Sequence, residues 1–134
     1  MVTEQLVAVI DDDESVRKAL IRLLRSANLA GLAFPSARAF LEAFMGLPID
    51  CIVLDLQMPD MTGLELQRHL RVSHPDLRVP IIIITAHDEP GSRERCIAAG
   101  ASAYLRKPVE SGVLLSVIAK VTAADDKDKT RAKP

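Results

Sequence analysis

Cys51-Ile52-Val53-Leu54-Asp55-Leu56-Gln57-Met58-Pro59-Asp60 is the stretch whose reading decides the fold. Its continuous apolar run, too short for a helix and ending in a polar loop, reads as a strand buried on both faces, as in a parallel sheet covered by helices. Asp55 then sits at the strand's carboxyl end, where ligands bind in open α/β sheets. Three other runs end in matching chemistry: Val7-Ala8-Val9-Ile10 leads into Asp11-Asp12-Asp13, Ile81-Ile82-Ile83-Ile84 into Thr85, and Tyr104-Leu105-Arg106 into Lys107. An acid pair, an acid, a hydroxyl and an ammonium are expected to converge on one sheet edge.

Five short β-type runs alternate with helical patterns, which predicts βαβ units. The first helix carries Val16, Leu20, Leu23, Leu24 and Ala27 on one stripe. A weak second strand, Gly31 to Phe34, reads as an edge strand, and Ser36 can cap a helix bearing Phe40, Leu41 and Phe44. Thr62-Gly63-Leu64-Glu65 matches a capping box for a helix to about Val72. Pro90 suits the first turn of the next helix and Gly100 its end, predicting a span from Gly91 to Ala99. The last helix places Val113, Leu114, Val117, Ile118 and Val121 on one stripe. Residues 124–134 are charged and lack large apolar groups, so they read as a disordered tail or linker stub after a domain spanning 1–123.

The chain has 134 residues, 49% of them hydrophobic and 26% charged, which fits one globular domain with a substantial core. A net charge of −1 gives no bulk reason for direct nucleic-acid binding. No apolar stretch approaches the ~20 residues that span a bilayer, and the start is not that of a signal peptide, so a cytoplasmic location is expected. Cys51 and Cys96 form no paired motif and read as small buried hydrophobes. The spacing of His69, His74 and His87 supports no metal site.

Asp11 and Asp12 are neighbours, so a regular strand would point them to opposite faces; where the chain leaves the strand, both can turn to the edge. With Asp55 they form three carboxylates whose repulsion must be offset. A hard divalent cation does so, and oxygen-only ligands suit Mg²⁺, which also accepts phosphate oxygens. Thr85 and Lys107 can bind phosphoryl oxygens, the ammonium as a point charge. Phosphoryl transfer needs mainly positioning and charge neutralisation. Taken singly, Asp13 reads as a helix cap, Thr85 as a turn residue and Lys107 as an exposed residue before proline. Their coincidence on the carboxyl ends of four strands favours a site.

Val9 to Asp13, Leu54 to Gly63, Ile84-Thr85-Ala86 and Tyr104-Leu105-Arg106-Lys107-Pro108 together resemble the motifs of the response-regulator receiver domain of bacterial two-component signalling, over about residues 6 to 122. The resemblance implies a flavodoxin-like (βα)5 three-layer α/β sandwich with a parallel sheet in the order 2-1-3-4-5. It also implies a non-enzymatic switch, limited to its own phosphorylation and dephosphorylation. Asp55 would be the phosphoacceptor, charged by a sensor histidine kinase or phosphotransfer protein. Asp11, Asp12, Asp55 and the Gln57 carbonyl would hold Mg²⁺, and Thr85 and Lys107 would bind the acyl phosphate. Tyr104 would be a switch residue turning inward as Thr85 moves, Lys107-Pro108 a cis peptide, and Gln57 and His87 would tune the phosphate's lifetime. The surface of the fourth helix, fifth strand and fifth helix would carry the output, homodimerisation included.

Gly100-Ala101 is followed by Ser102-Ala103 rather than the acidic pair usual in members driving winged-helix domains. The segments from Asp13 to Leu20, Ser36 to Leu41 and Met58 to Gly63 are closer to regulators of the nitrogen-fixation type, with a LuxR-like output. Two rival readings are a metal-dependent aspartyl phosphatase or phosphotransferase and a phosphorylation-independent interaction module. Haloacid-dehalogenase-type enzymes need a second Asp two positions after the nucleophile, where this chain has Gln57. The complete set Asp11, Asp12, Asp55, Thr85 and Lys107 disfavours the module.

Overall fold

The computed structural model describes residues 4–132, with side chains described through residue 124. Its elements alternate: β1 Leu6–Ile10, α1 Glu14–Ser26, β2 Ala30–Phe34, α2 Ala37–Ala43, β3 Cys51–Asp55, α3 Gly63–Ser73, β4 Ile81–Thr85, α4 Ser92–Ala98, β5 Ala103–Arg106 and α5 Ser111–Ala132. The strands form one sheet in the order β2-β1-β3-β4-β5, and every neighbouring pair is parallel.

The strands are apolar throughout because both faces are covered. In β1, Val7 and Val9 join a core with Leu24 of α1 and with Leu114 and Ile118 of α5. Ala8 and Ile10 point the other way, into a core with Phe40 of α2, Leu66 of α3 and Cys96 of α4. The same alternation of period two runs through β3 and β4. β2 pairs with β1 alone and leaves Leu32 38% exposed, as an edge strand should.

Local signals set most helix starts. Asp13 caps α1 by accepting from the Ser15 and Val16 amides, and Ser36 caps α2 by accepting from Ala39. Both halves of the Thr62/Glu65 capping box are present, at 3.1 and 2.9 Å. Two expectations are corrected. α4 starts at Ser92 after a left-handed Gly91 at φ +80°, so Pro90 lies before the helix rather than in its first turn. In α5, Leu114 and Ile118 are buried but Val113 is 43% exposed, because its neighbour Leu114 faces the sheet and one residue turns the helix by about 100°.

The α5 backbone stays helical to Ala132, past the boundary expected at residue 123. Residues 124–129 contain neither Gly nor Pro to stop it. The side chains of 125–134, and residues 133 and 134 entirely, lie outside the described residues, and with them most of the expected tail or linker stub. Among the described residues no helix is long and apolar enough to cross a membrane.

Gly63 ties α3 to the end of β3. Its amide donates to the Leu56 carbonyl at 2.9 Å, and a Cβ there would lie 2.5 Å from the Asp55 carbonyl oxygen and 3.0 Å from the Leu56 Cα. Because the obstructing atoms are backbone, relief requires shifting the loop or the helix. Gly63→Ala is expected to destabilise the protein by about 1–3 kcal/mol, as overpacking does. Urea unfolding measures this, and an unchanged midpoint would show that the loop yields without cost.

Candidate functional site

The parallel register sets Ile10 of β1 beside Leu54 of β3, so Asp11 and Asp55 arrive together at the sheet's carboxyl edge. Asp11 and Asp12 lie just beyond the end of β1, where both can turn to this edge. Carboxylate oxygens of Asp11, Asp12 and Asp55 all lie within 4.8 Å of one another. Asp11 and Asp55 are buried and Asp12 is exposed, which leaves the cluster an opening to solvent. Three carboxylate oxygens without nitrogen or sulfur form a donor set that fits a hard divalent cation such as Mg²⁺.

Lys107 closes the site from beyond β5. Its Nζ donates to Asp11 Oδ2 at 2.8 Å and stands 3.5 Å from Asp55 Oδ1, so it leans toward Asp11. The Lys107-Pro108 peptide is cis, as expected. The other Asp11 oxygen accepts from the Asp13 amide at 2.9 Å, and Arg17 Nη1 donates to the Asp11 carbonyl at 2.9 Å. Arg17 was not singled out from the sequence, where it is one of several basic residues on the exposed part of a helix.

The remaining expected residues are near the edge but differently engaged. Thr85 is fully buried, and its hydroxyl donates to the His87 carbonyl at 3.1 Å while accepting from the His87 amide at 3.0 Å. The His87 and Gln57 side chains are exposed on the two adjoining loops. Tyr104 is buried, its hydroxyl 2.9 Å from Asp88 Oδ1 and 3.1 Å from Ser92 Oγ. Asp88 also meets Arg106 Nε at 3.4 Å. Asp88 and Ser92 escaped the sequence reading because a loop acid and a helix-start serine carry no distinctive pattern; their importance comes from where Tyr104 lies.

Burial, reinforced by the Asp11 charge, pushes the Asp55 carboxyl up from 3.8 to about 6 even though Lys107 opposes the rise. Burial pulls Lys107 down, but its hydrogen bond to Asp11 and the charges of Asp55 and Asp11 outweigh it and leave the ammonium's pKa raised. Burial also raises the Tyr104 phenol, with the Ser92 hydrogen bond opposing and Asp88 adding to the rise.

Because Asp55 titrates near 6 when folded and near 3.8 otherwise, the folded protein holds the extra proton between those values. Stability therefore falls as pH rises through that window, and the whole penalty is present above it. In metal-free protein at pH 7, Asp55→Asn is expected to stabilise by about 1–3 kcal/mol, with the gain vanishing below about pH 4. Urea unfolding with a chelator at both pH values measures this; equal gains at both would remove the electrostatic account.

The family described as the response regulator receiver domain matches residues 7–119. Nodulation protein W of Bradyrhizobium diazoefficiens is 36% identical over 125 residues, covering 93% of this chain and 54% of that protein. Transcriptional regulatory protein FixJ of Azorhizobium caulinodans is 38% identical over 114 residues, covering 84% and 52%. The solved structure of FixJ-N superposes with a TM-score of 0.81 at 33% identity, covering 91% of this chain and 96% of that one. The chain thus spans about half the length of the curated relatives it matches, and these relatives support the nitrogen-fixation type. With a match that runs through all five strands, the chain belongs to the response regulator receiver domain family of two-component signalling.

Proposed function

We propose that Asp55 is the phosphoacceptor of this receiver domain and that its acyl phosphate switches the surface formed by α4, β5 and α5. The observation that carries this is a single carboxylate at the middle of the sheet edge, with Lys107 Nζ 3.5 Å away and Asp11 and Asp12 beside it. A sensor histidine kinase or phosphotransfer protein supplies phosphohistidine. An Asp55 oxygen bonds to phosphorus as the phosphorus–nitrogen bond breaks, and the departing imidazole takes up a proton. The chain turns over only its own acyl phosphate.

Asp11, Asp12, Asp55 and the Gln57 backbone carbonyl would hold Mg²⁺, which supplies positive charge against the carboxylates and the phosphoryl oxygens. Lys107 turns from Asp11 to a phosphoryl oxygen. Thr85 leaves the His87 carbonyl to donate to another, which moves the loop before α4 and loosens the setting of Tyr104. Gln57 and His87, exposed on the flanking loops, control the approach of water and so the phosphate's lifetime.

Self-association through α4, β5 and α5 is supported by Ile97 and Val113, which are 42% and 43% exposed there. The output is control of transcription through a partner segment, in a cytoplasmic setting; with a net charge of −1, this chain makes no direct contact with nucleic acid.

Acetyl phosphate with Mg²⁺ is expected to add one phosphate to the wild-type chain and none to Asp55→Asn, while Lys107→Ala slows the reaction by about tenfold or more. Intact-mass spectrometry follows this, and undiminished labelling of Asp55→Asn would refute the assignment. Calorimetric titration with Mg²⁺ is expected to show at least about tenfold weaker binding by Asp12→Ala, through loss of one ligand and one charge. Equal affinity would put the cation elsewhere.

A further inference from the structure

α4 is a short helix with few buried anchors. Of its seven residues, Ser92 and Cys96 are the ones buried, so apolar packing alone holds it weakly. Its first turn is attached through Ser92 Oγ, 3.1 Å from the Tyr104 hydroxyl. Its last turn is attached by α3: Gln67 Nε2 donates to the Cys96 carbonyl and Arg71 Nη1 to the Ala98 carbonyl, each at 3.2 Å. Gln67 and Arg71 are four residues apart and share one face of α3.

These two bonds act on a turn that is already closed on itself. The Ala101 amide donates to Cys96 and the Gly100 amide to Ile97, at 3.0 and 2.9 Å, with Gly100 at φ +105°. This is a Schellman stop, which holds the turn as a unit. A shift of the turn therefore breaks the α3 bonds first, and an undocked turn, held by its internal bonds alone, opens to exchange more readily. Beneath it lies a groove of about 450 Å³ lined by Gln67, Leu70, Arg71, His74, Ala99 and Gly100, which gives the turn room to move.

The attachment is also imperfect. Gln67 is 2% exposed, yet its Oε1 has no hydrogen-bond partner among the described residues. A buried amide satisfied at one end still carries the desolvation cost of the other, so the resting arrangement holds α4 without maximal stability. α3 in turn starts at Gly63, pressed against the carbonyl of Asp55. The start of α4 is thereby linked through Tyr104 and Asp88 to the loop whose His87 backbone bonds Thr85, and its end through α3 to the helix start at the Asp55 carbonyl.

We infer that Gln67 and Arg71 are positioning residues that clamp the end of α4 in its resting place and set how readily phosphorylation moves it. This rests on Asp55 being the phosphoacceptor. Releasing a bond made only in the resting state raises the population of the moved state, and a phosphoryl mimic that selects the moved state then binds more tightly by the same factor.

The test uses the full chain as wild type, Arg71→Met, Gln67→Leu and the conservative Arg71→Lys. Hydrogen exchange of the Ala99, Gly100 and Ala101 amides is measured in chelator, and half-saturation by beryllofluoride is measured in Mg²⁺. Arg71 is exposed, so its variants should fold even if Gln67→Leu does not. Release of the clamp is expected to speed exchange severalfold and to lower the half-saturating beryllofluoride by about threefold to tenfold. Arg71→Lys should return both toward wild type. Faster exchange with unchanged or higher half-saturation would make the bonds merely structural and overturn the clamp, as would no change in either. A wild-type chain that takes up no beryllofluoride would refute the phosphoacceptor reading itself, and the clamp with it; binding by wild type with unaltered variants refutes the clamp alone.

Discussion

Repulsion among three carboxylates gathered at one buried sheet edge is the constraint on which the rest of this structure depends. Asp11, Asp12 and Asp55 are held within 4.8 Å of one another, and the ammonium closest to them, Lys107, is committed mainly to Asp11. No packing argument would assemble such a group, since burial and the Asp11 charge together lift the Asp55 carboxyl to about 6 despite Lys107. Such an arrangement gives up stability in the metal-free protein and leaves a buried carboxylate beside a donor set that fits a hard divalent cation, as sites built for chemistry do.

The two-faced core makes that edge possible. Alternating residues of β1, β3 and β4 bury into both layers of helices, so the strand ends are rigidly set while the loops beyond them carry the polar groups. Gly63 shows how tightly this is arranged: the start of α3 lies against the Asp55 carbonyl, with no space for a methyl group.

On the far side of the edge the structure is held by hydrogen bonds rather than by area. Thr85 is tied to the His87 backbone, and Tyr104 to Asp88 and Ser92. α4 hangs between Tyr104 at its start and Gln67 and Arg71 at its end. Bonds of this kind contribute roughly 0.5–1.5 kcal/mol each, which is the scale on which a covalent phosphate can shift a population without unfolding the domain.

The strands, their burial on both faces and the convergence of Asp11, Asp12, Asp55, Thr85 and Lys107 were legible in the sequence because apolar runs, capping residues and strand-end chemistry are local patterns. The capping box at Thr62 and the edge character of β2 were legible for the same reason. The start of α4 was not, since Gly91 takes a left-handed conformation that leaves Pro90 outside the helix; nor was the exposure of Val113, which one-dimensional periodicity assigns to the apolar stripe. Which particular atoms pair across long distances in sequence was not legible. That Lys107 leans toward Asp11, that Tyr104 meets Asp88, and that Gln67 and Arg71 grip the end of α4 depend on how separate helices and loops pack on the sheet. Only the tertiary structure decides these contacts, because each joins groups whose own neighbours in the chain carry no sign of the other.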